Sequence, residues 1–319
     1  MEQNRRIIFM GTPDFAVATL DALVADGLDV CAVVTAPDRP AGRGRQLRAS
    51  AVKERALEFG LPVLQPEKLK DPAFITALED LDAALYVVVA FRMLPEVVWT
   101  KPVLGTVNLH GSLLPAYRGA APINWAVING ETRTGVTTFL IQHEIDTGDL
   151  LLQDEVPIAA NDTAGDVHDR LMTIGAGLMV RTVHGLFDAS LRGTPQVIDR
   201  NAPPPTAPKL NNANMHVACD RPASQVHDHV RGLSPYPGAW CTWTDANGIS
   251  THLKLLRTAL TERSVTQAPG TLIVDGPRLF ATCNDRMMEI LELQAEGRKR
   301  MLAAEFLRGT RHVEGSILR

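Results

Sequence analysis

Asn108 and His110 stand two residues apart in Thr106-Val107-Asn108-Leu109-His110, just before the Gly/Pro-bounded stretch Gly111-Ser112-Leu113-Leu114-Pro115. An amide can donate to an oxygen that gains negative charge, and an imidazole can carry a proton near neutral pH. Side by side at a strand end, the two groups would build a polar corner. Farther along, Glu144, Asp146 and Asp149 cluster in Gln142-His143-Glu144-Ile145-Asp146-Thr147-Gly148-Asp149. One carboxylate of that cluster could orient His110 or hold a water beside it. Each piece also has a plain structural use. Asn-x-His fits a hydrogen-bonded pair in a turn, and Asp146-Thr147-Gly148 fits an Asx-turn. Spacing alone does not bring Asp146 to His110.

These side chains need elements to hold them. Thr106 to His110 reads as a strand, so Asn108 and His110 leave one face while Val107 and Leu109 leave the other. The acidic cluster follows a second expected strand, Thr137–Ile141, and precedes a third at Leu150–Leu152. Arg6–Met10, Val30–Val34 and Ala84–Val89 are short, continuously apolar runs, the texture of strands covered on both faces. Helical stretches near Val52–Phe59 and Pro72–Leu78 separate them. Strands alternating with helices predict an α/β class with a doubly wound, mostly parallel sheet, which binds ligands at the carboxyl ends of its strands. The first turn, Gly11-Thr12-Pro13-Asp14, holds one glycine, and no GxGxxG follows a strand, so a NAD-dependent oxidoreductase is disfavoured.

With 319 residues, the chain is long enough for two domains. Five prolines between Ser190 and Leu210 mark a linker. Beyond it, alternating runs at Gly238–Thr244, Thr251–Leu256, Thr271–Val274, Arg278–Thr282 and Met287–Leu293 are punctuated by Asn247-Gly248, Asp275-Gly276 and Asn284-Asp285. They predict a small β-barrel, OB-like in strand number. The boundaries expected are 1–189, a Pro-rich linker at 190–210, and 211–319. In the second domain, Trp240 and Trp243 are expected as core anchors.

The net charge of −4 excludes a globally basic coat for nucleic acid, so a polyanion would have to meet a local patch. Arg39 to Arg55 carries six basic residues against one acid, within an Arg/Gly/Pro-rich stretch expected to be a loop that is mobile without a ligand. Four scattered cysteines without a CxxC pair argue against a zinc ribbon or disulfide scaffold and suit the cytosol. His227 and His229, two apart in an expected helix, diverge, and no metal site is expected. No apolar run reaches the ~20 residues of a membrane span, and the opening residues are expected not to form a signal peptide.

Asn108, His110-Gly111-Ser112-Leu113-Leu114-Pro115 and Asp146-Thr147-Gly148 together resemble the core of the folate-dependent formyltransferases. Gly11-Thr12-Pro13-Asp14-Phe15-Ala16, the stretch Pro37 to Gly44, Arg118-Gly119-Ala120-Ala121-Pro122-Ile123 and Arg231 to Trp240 are similar to the branch of that family whose acceptor is methionyl initiator tRNA. The resemblance spans nearly the whole chain. It implies a Rossmann-like core with Asn108, His110 and Asp146 as the catalytic trio, and 10-formyltetrahydrofolate as co-substrate with no metal. It places the folate against Phe91, Arg92, Met93 and Leu94 and against Ser112, Leu113, Leu114 and Pro115. It gives Arg39, Arg43 and Arg45 to the tRNA acceptor end and 211–319 to tRNA binding, in a cytoplasmic monomer that needs no membrane. A relative with a small acceptor, an amino sugar or glycinamide ribonucleotide, would need neither the Arg-rich loop nor the β-rich second domain. A non-catalytic folate- or RNA-binding module would not need the trio.

Overall fold

A computed structural model describes residues 4–41, 46–199 and 201–319. The chain forms two compact units, one of residues 1–119, 135–156 and 168–206, the other of 120–134, 157–167 and 207–319.

The first unit is built on a seven-stranded sheet ordered Leu150–Pro157, Arg133–Leu140, Thr106–His110, Leu85–Val89, Ile7–Gly11, Val30–Val34, Val63–Leu64. From Thr106–His110 to Val63–Leu64 all neighbours are parallel, whereas Arg133–Leu140 runs antiparallel to Thr106–His110. The continuous apolar runs have the physical cause inferred from sequence: both faces are covered. Ile8, Met10, Val34, Tyr86 and Val88 pack with Phe74 and Leu78 of the helix Pro72–Leu81. Ile7, Phe9, Val87, Val107 and Leu109, with opposite parity, are buried as well. Leu109 lies against Gly175 of the helix Ala164–Phe187, where an added Cβ would come within 2.8 Å of the leucine. Burial at both parities stabilises by about 1.5–3 kcal/mol per large apolar side chain, and a one-residue register slip would forfeit it throughout a strand.

Two expectations change here. Arg133–Leu140 starts four residues before the expected strand, and Leu150–Pro157 runs five beyond it. The basic stretch is not all loop. Arg39–Ala41 and Gln46–Arg48 pair as antiparallel strands with Arg39 opposite Arg48, because backbone hydrogen bonds need no apolar pattern. The residue leading into this strand pair is anchored. The Asp38 carboxylate accepts from Lys53 Nζ (2.6 Å) and Gln65 Nε2 (2.8 Å), and these bonds hold its pKa below the usual range. Ser50 caps the helix Ala51–Glu58 by accepting from Lys53 N. Arg43 and Arg45 lie outside the described residues.

In the second unit, antiparallel strands run Leu272–Asp275, Arg278–Thr282, Arg286–Ala295, Ser250–Ser264, Ala239–Thr244, Ile317–Leu318. The sheet curls until its ends meet, with Leu272 N donating to Ser316 O and Leu318 N to Gly270 O, both at 2.8 Å. The barrel-like architecture expected from the turn spacing is present, with Ser250–Ser264 bending across it and the chain's last strand completing it. Trp243, Leu253, Leu279, Leu293 and Phe306 fill the interior beside Val226 and Val230 of the helix Ala223–Gly232. Trp243 is a core residue, but Trp240 is not. Ala239, Cys241 and Trp243 point inward, and a period of two sends Trp240 outward, where it stands between His216 (4.6 Å) and His252 (5.2 Å). His227 and His229 have separate surroundings, His227 bonding Thr258 Oγ1 and Ala160 O.

The helix Pro122–Ile128 and the 157–167 segment belong to this second unit, although they precede the Pro-rich stretch in sequence. Gly232 explains part of this: a Cβ there would come within 2.7 Å of Ile128 N, so only glycine lets the two helices approach so closely.

Candidate active site

Because Ile7–Gly11, Leu85–Val89 and Thr106–His110 are parallel, the segments that follow them leave the sheet at one end. Asn108 is in register with Val88 and Phe139, and His110 with Thr137. Asn108 and His110 therefore share the sheet face of Val88 and Met10, at the strand's carboxyl end. Asn108 is half-buried, and its amide has no hydrogen-bond partner among the described residues. His110 is 7% exposed and meets Phe139 edge-on.

The imidazole has an oxygen facing each of its ring nitrogens. Its Nε2 lies 2.9 Å from the Tyr117 carbonyl oxygen, which can only accept, so Nε2 bears a proton in this contact. Nδ1 lies 3.8 Å from Asp146 Oδ2. Tertiary structure thus brings together two residues that spacing could not join. The same carboxylate oxygen accepts from Gly119 N at 2.9 Å, so Asp146 is held by a residue 27 positions away. Should Nδ1 take a proton, the imidazolium would form beside a carboxylate in a poorly hydrated corner, where that charge pairing is strong.

The local backbone fits this use. Asp146 has φ +54, a conformation Asp tolerates better than most residues. Gly148 is obligatory, since a Cβ there would fall 1.6 Å from the Leu140 carbonyl oxygen. Beside His110, the Thr137 hydroxyl donates to Ser112 O (2.6 Å) and accepts from Leu114 N (3.1 Å) and Gln153 Nε2 (2.8 Å). That saturated hydroxyl fixes the 112–115 turn.

The residues expected to line a folate pocket are unequal in exposure. Ser112 and Leu114 are buried, with the Ser112 hydroxyl donating to Ala116 O. Leu113 packs on Gly135 and is half-buried, as is Pro115. Leu94 joins the core with Val98, Phe91 packs at its edge, and Met93 is 74% exposed. Arg92 donates to the Pro66 and Glu67 carbonyls, and burial followed by nearby Arg39 pushes its guanidinium pKa down. Arg39 is exposed. Sequence reasoning missed Tyr117, Gly119 and Gln196. No spacing signal marks a backbone carbonyl or amide as a partner, and Gln196 lies in the stretch read as a linker. Among the described residues, no group of three or more His, Cys, Asp or Glu could hold a metal ion.

Comparison with known proteins places this geometry in a family. Residues 5–183 match the Formyl transferase family and 209–311 the Formyl transferase, C-terminal domain family. The methionyl-tRNA formyltransferase of Bacteroides fragilis is 47% identical over 313 residues, covering 97% of this chain and 96% of the relative. That of Flavobacterium johnsoniae is 46% identical over 307 residues, covering 96% of each. In fold, the chain is similar to WlaRD, a sugar 3N-formyl transferase, with a TM-score of 0.66 at 16% identity over 93% of this chain and 100% of that one. Glycinamide ribonucleotide transformylase 1 of Symbiobacterium toebii gives 0.53 at 19% identity, over 62% of this chain and 96% of that one. The chain belongs to the formyl transferase family, among the methionyl-tRNA formyltransferases.

Proposed function

We propose that the protein transfers the formyl group of 10-formyltetrahydrofolate to the α-amino group of methionine esterified to initiator tRNA, with Asn108, His110 and Asp146 as its catalytic residues. The neutral amine attacks the formyl carbon. A new C–N bond forms, the bond from that carbon to the folate nitrogen breaks, the amine loses a proton and the folate nitrogen gains one. Asn108 donates to the formyl oxygen as it becomes negative. His110 accepts the amine's proton at Nδ1 and returns it toward the leaving nitrogen, and Asp146 stabilises the imidazolium between the two steps.

The observation that carries this reading is the 3.8 Å approach of Asp146 to His110 at a strand end that also presents the half-buried Asn108 amide. The names and near-complete coverage of the relatives support the acceptor. Folate would lie along Phe91, Arg92, Met93 and Leu94 and the Ser112–Pro115 turn. Arg39, Arg43 and Arg45 would grip the acceptor end of the tRNA, and 211–319 would add tRNA-binding surface. The four cysteines are free thiols, in keeping with a reducing cytoplasm. Among the described residues no helix is long and apolar enough to cross a membrane.

The test is a product assay. The protein is incubated with 10-formyltetrahydrofolate and methionyl initiator tRNA, and in parallel with glycinamide ribonucleotide, and products are weighed by mass spectrometry. Formylated methionine on the tRNA alone is expected. Formylation of the small acceptor alone would overturn the assignment.

A further inference from the structure

We propose that Gln196, held by Arg118, is a positioning residue that fixes Asp146 against His110. This rests on the catalytic reading above. The Gln196 side chain uses both ends of its amide. Nε2 donates to the Asp146 carbonyl (2.9 Å) and to the Gly148 carbonyl (2.8 Å), which flank Thr147 just after the left-handed φ of Asp146. Oε1 accepts from Arg118 Nε (3.1 Å) and Nη2 (2.5 Å).

Those hydrogen bonds close a circuit. Three consecutive residues touch every part of it: the Tyr117 carbonyl takes His110 Nε2, Arg118 holds Gln196, and Gly119 N donates to the Asp146 carboxylate. Gln196 itself is seated by the backbone beside it, where Thr194 and Leu150 exchange hydrogen bonds of 2.8 and 2.9 Å. The catalytic carboxylate is thereby pinned at its side chain by Gly119 and at its backbone by Gln196. Only an amide satisfies the position. Two carbonyls require a donor and a guanidinium requires an acceptor, and Gln offers one of each at the right reach. At metal sites, partners that orient a ligand through a second layer of hydrogen bonds typically affect affinity or activity by 10–100-fold, and we take the same order for a carboxylate oriented in this way.

The discriminating variant is Gln196→Glu. It keeps size and the acceptor for Arg118, but sets a carboxylate oxygen against two carbonyls. Gln196→Ala removes both ends, and Asp146→Ala serves as the reference. Formyl transfer is measured at varied tRNA and varied 10-formyltetrahydrofolate, with thermal unfolding alongside. The expected result is kcat lowered roughly 10–100-fold in Gln196→Glu, with KM for both substrates and the unfolding midpoint near wild type. If Asp146→Ala loses activity while Gln196→Glu and Gln196→Ala keep theirs, the positioning role is wrong and the trio stands. If all three variants keep full activity, the catalytic reading itself fails. A loss confined to KM, or matched by collapse of the unfolding midpoint, would make Gln196 a substrate-binding or a structural residue and refute the proposal.

Discussion

Gly148→Ala isolates the placement of the Asp146 turn from the chemistry of its carboxylate. The added methyl would stand 1.6 Å from the Leu140 carbonyl oxygen and 2.8 Å from its carbon, against the 3.0 Å below which Cβ atoms essentially never approach a neighbour. Both obstructing atoms are backbone, so no rotamer change relieves them. The segments must separate by roughly 1.4 Å, and a misplacement of about 1 Å in a reacting array costs ~10²-fold. Leu140 cannot retreat freely, since its N–H is bonded to Asp149 O at 3.0 Å and its strand is paired with Thr106–His110. The turn carrying Asp146 must therefore yield. We expect kcat to fall by ~10–100-fold, with overpacking lowering stability by about 1–3 kcal/mol. Steady-state formyl transfer to methionyl-tRNA measures the first, and urea unfolding the second. A variant that is destabilised as expected yet turns over within about threefold of wild type would refute the idea that this turn sets the His110–Asp146 geometry on which the rate depends.

Asn108→Ala should lower kcat by ~10²–10³ by removing an oxyanion donor, and His110→Ala by ~10²–10⁴ by removing the proton carrier; single-turnover rates check both. Gly177→Ala is the counterpart to Gly148→Ala: its position in the helix Ala164–Phe187 is exposed, with nothing within 4 Å of an added Cβ. It should raise stability by about 0.5–1 kcal/mol in urea unfolding and leave turnover unchanged. Arg39→Ala or Arg43→Ala should weaken tRNA binding and reduce the slope of log K against log salt by about 0.7–0.9 for each phosphate that the arginine neutralises, measured by filter binding from low to moderate salt. An unchanged slope would remove that arginine from the tRNA interface.

Much of the first unit was legible because its signals are local. Val30–Val34 and Thr106–His110 are strands whose continuous apolar character or two-residue alternation is written in consecutive residues, and their type follows from burial on both faces. The shared face of Asn108 and His110 needed only the period of a strand. Parity also decides the fate of the two tryptophans, since residues three apart on a strand cannot both face the core. The paired strands flanking the basic segment were not legible, because charged and proline-rich residues give no alternation when backbone bonds alone join them.

By itself, then, the amino-acid order determined which chemical groups are available, the α/β core with a β-rich second domain, and the strand that aims an amide and an imidazole the same way. Tertiary structure alone decided what meets them. The approach of Asp146 to His110, the Tyr117 carbonyl that accepts from the imidazole, and the Gln196 amide that braces the turn join residues up to 50 positions apart. Such pairings arise from sheet order and chain crossing, and the hydrogen bonds involved leave no periodic trace in the sequence.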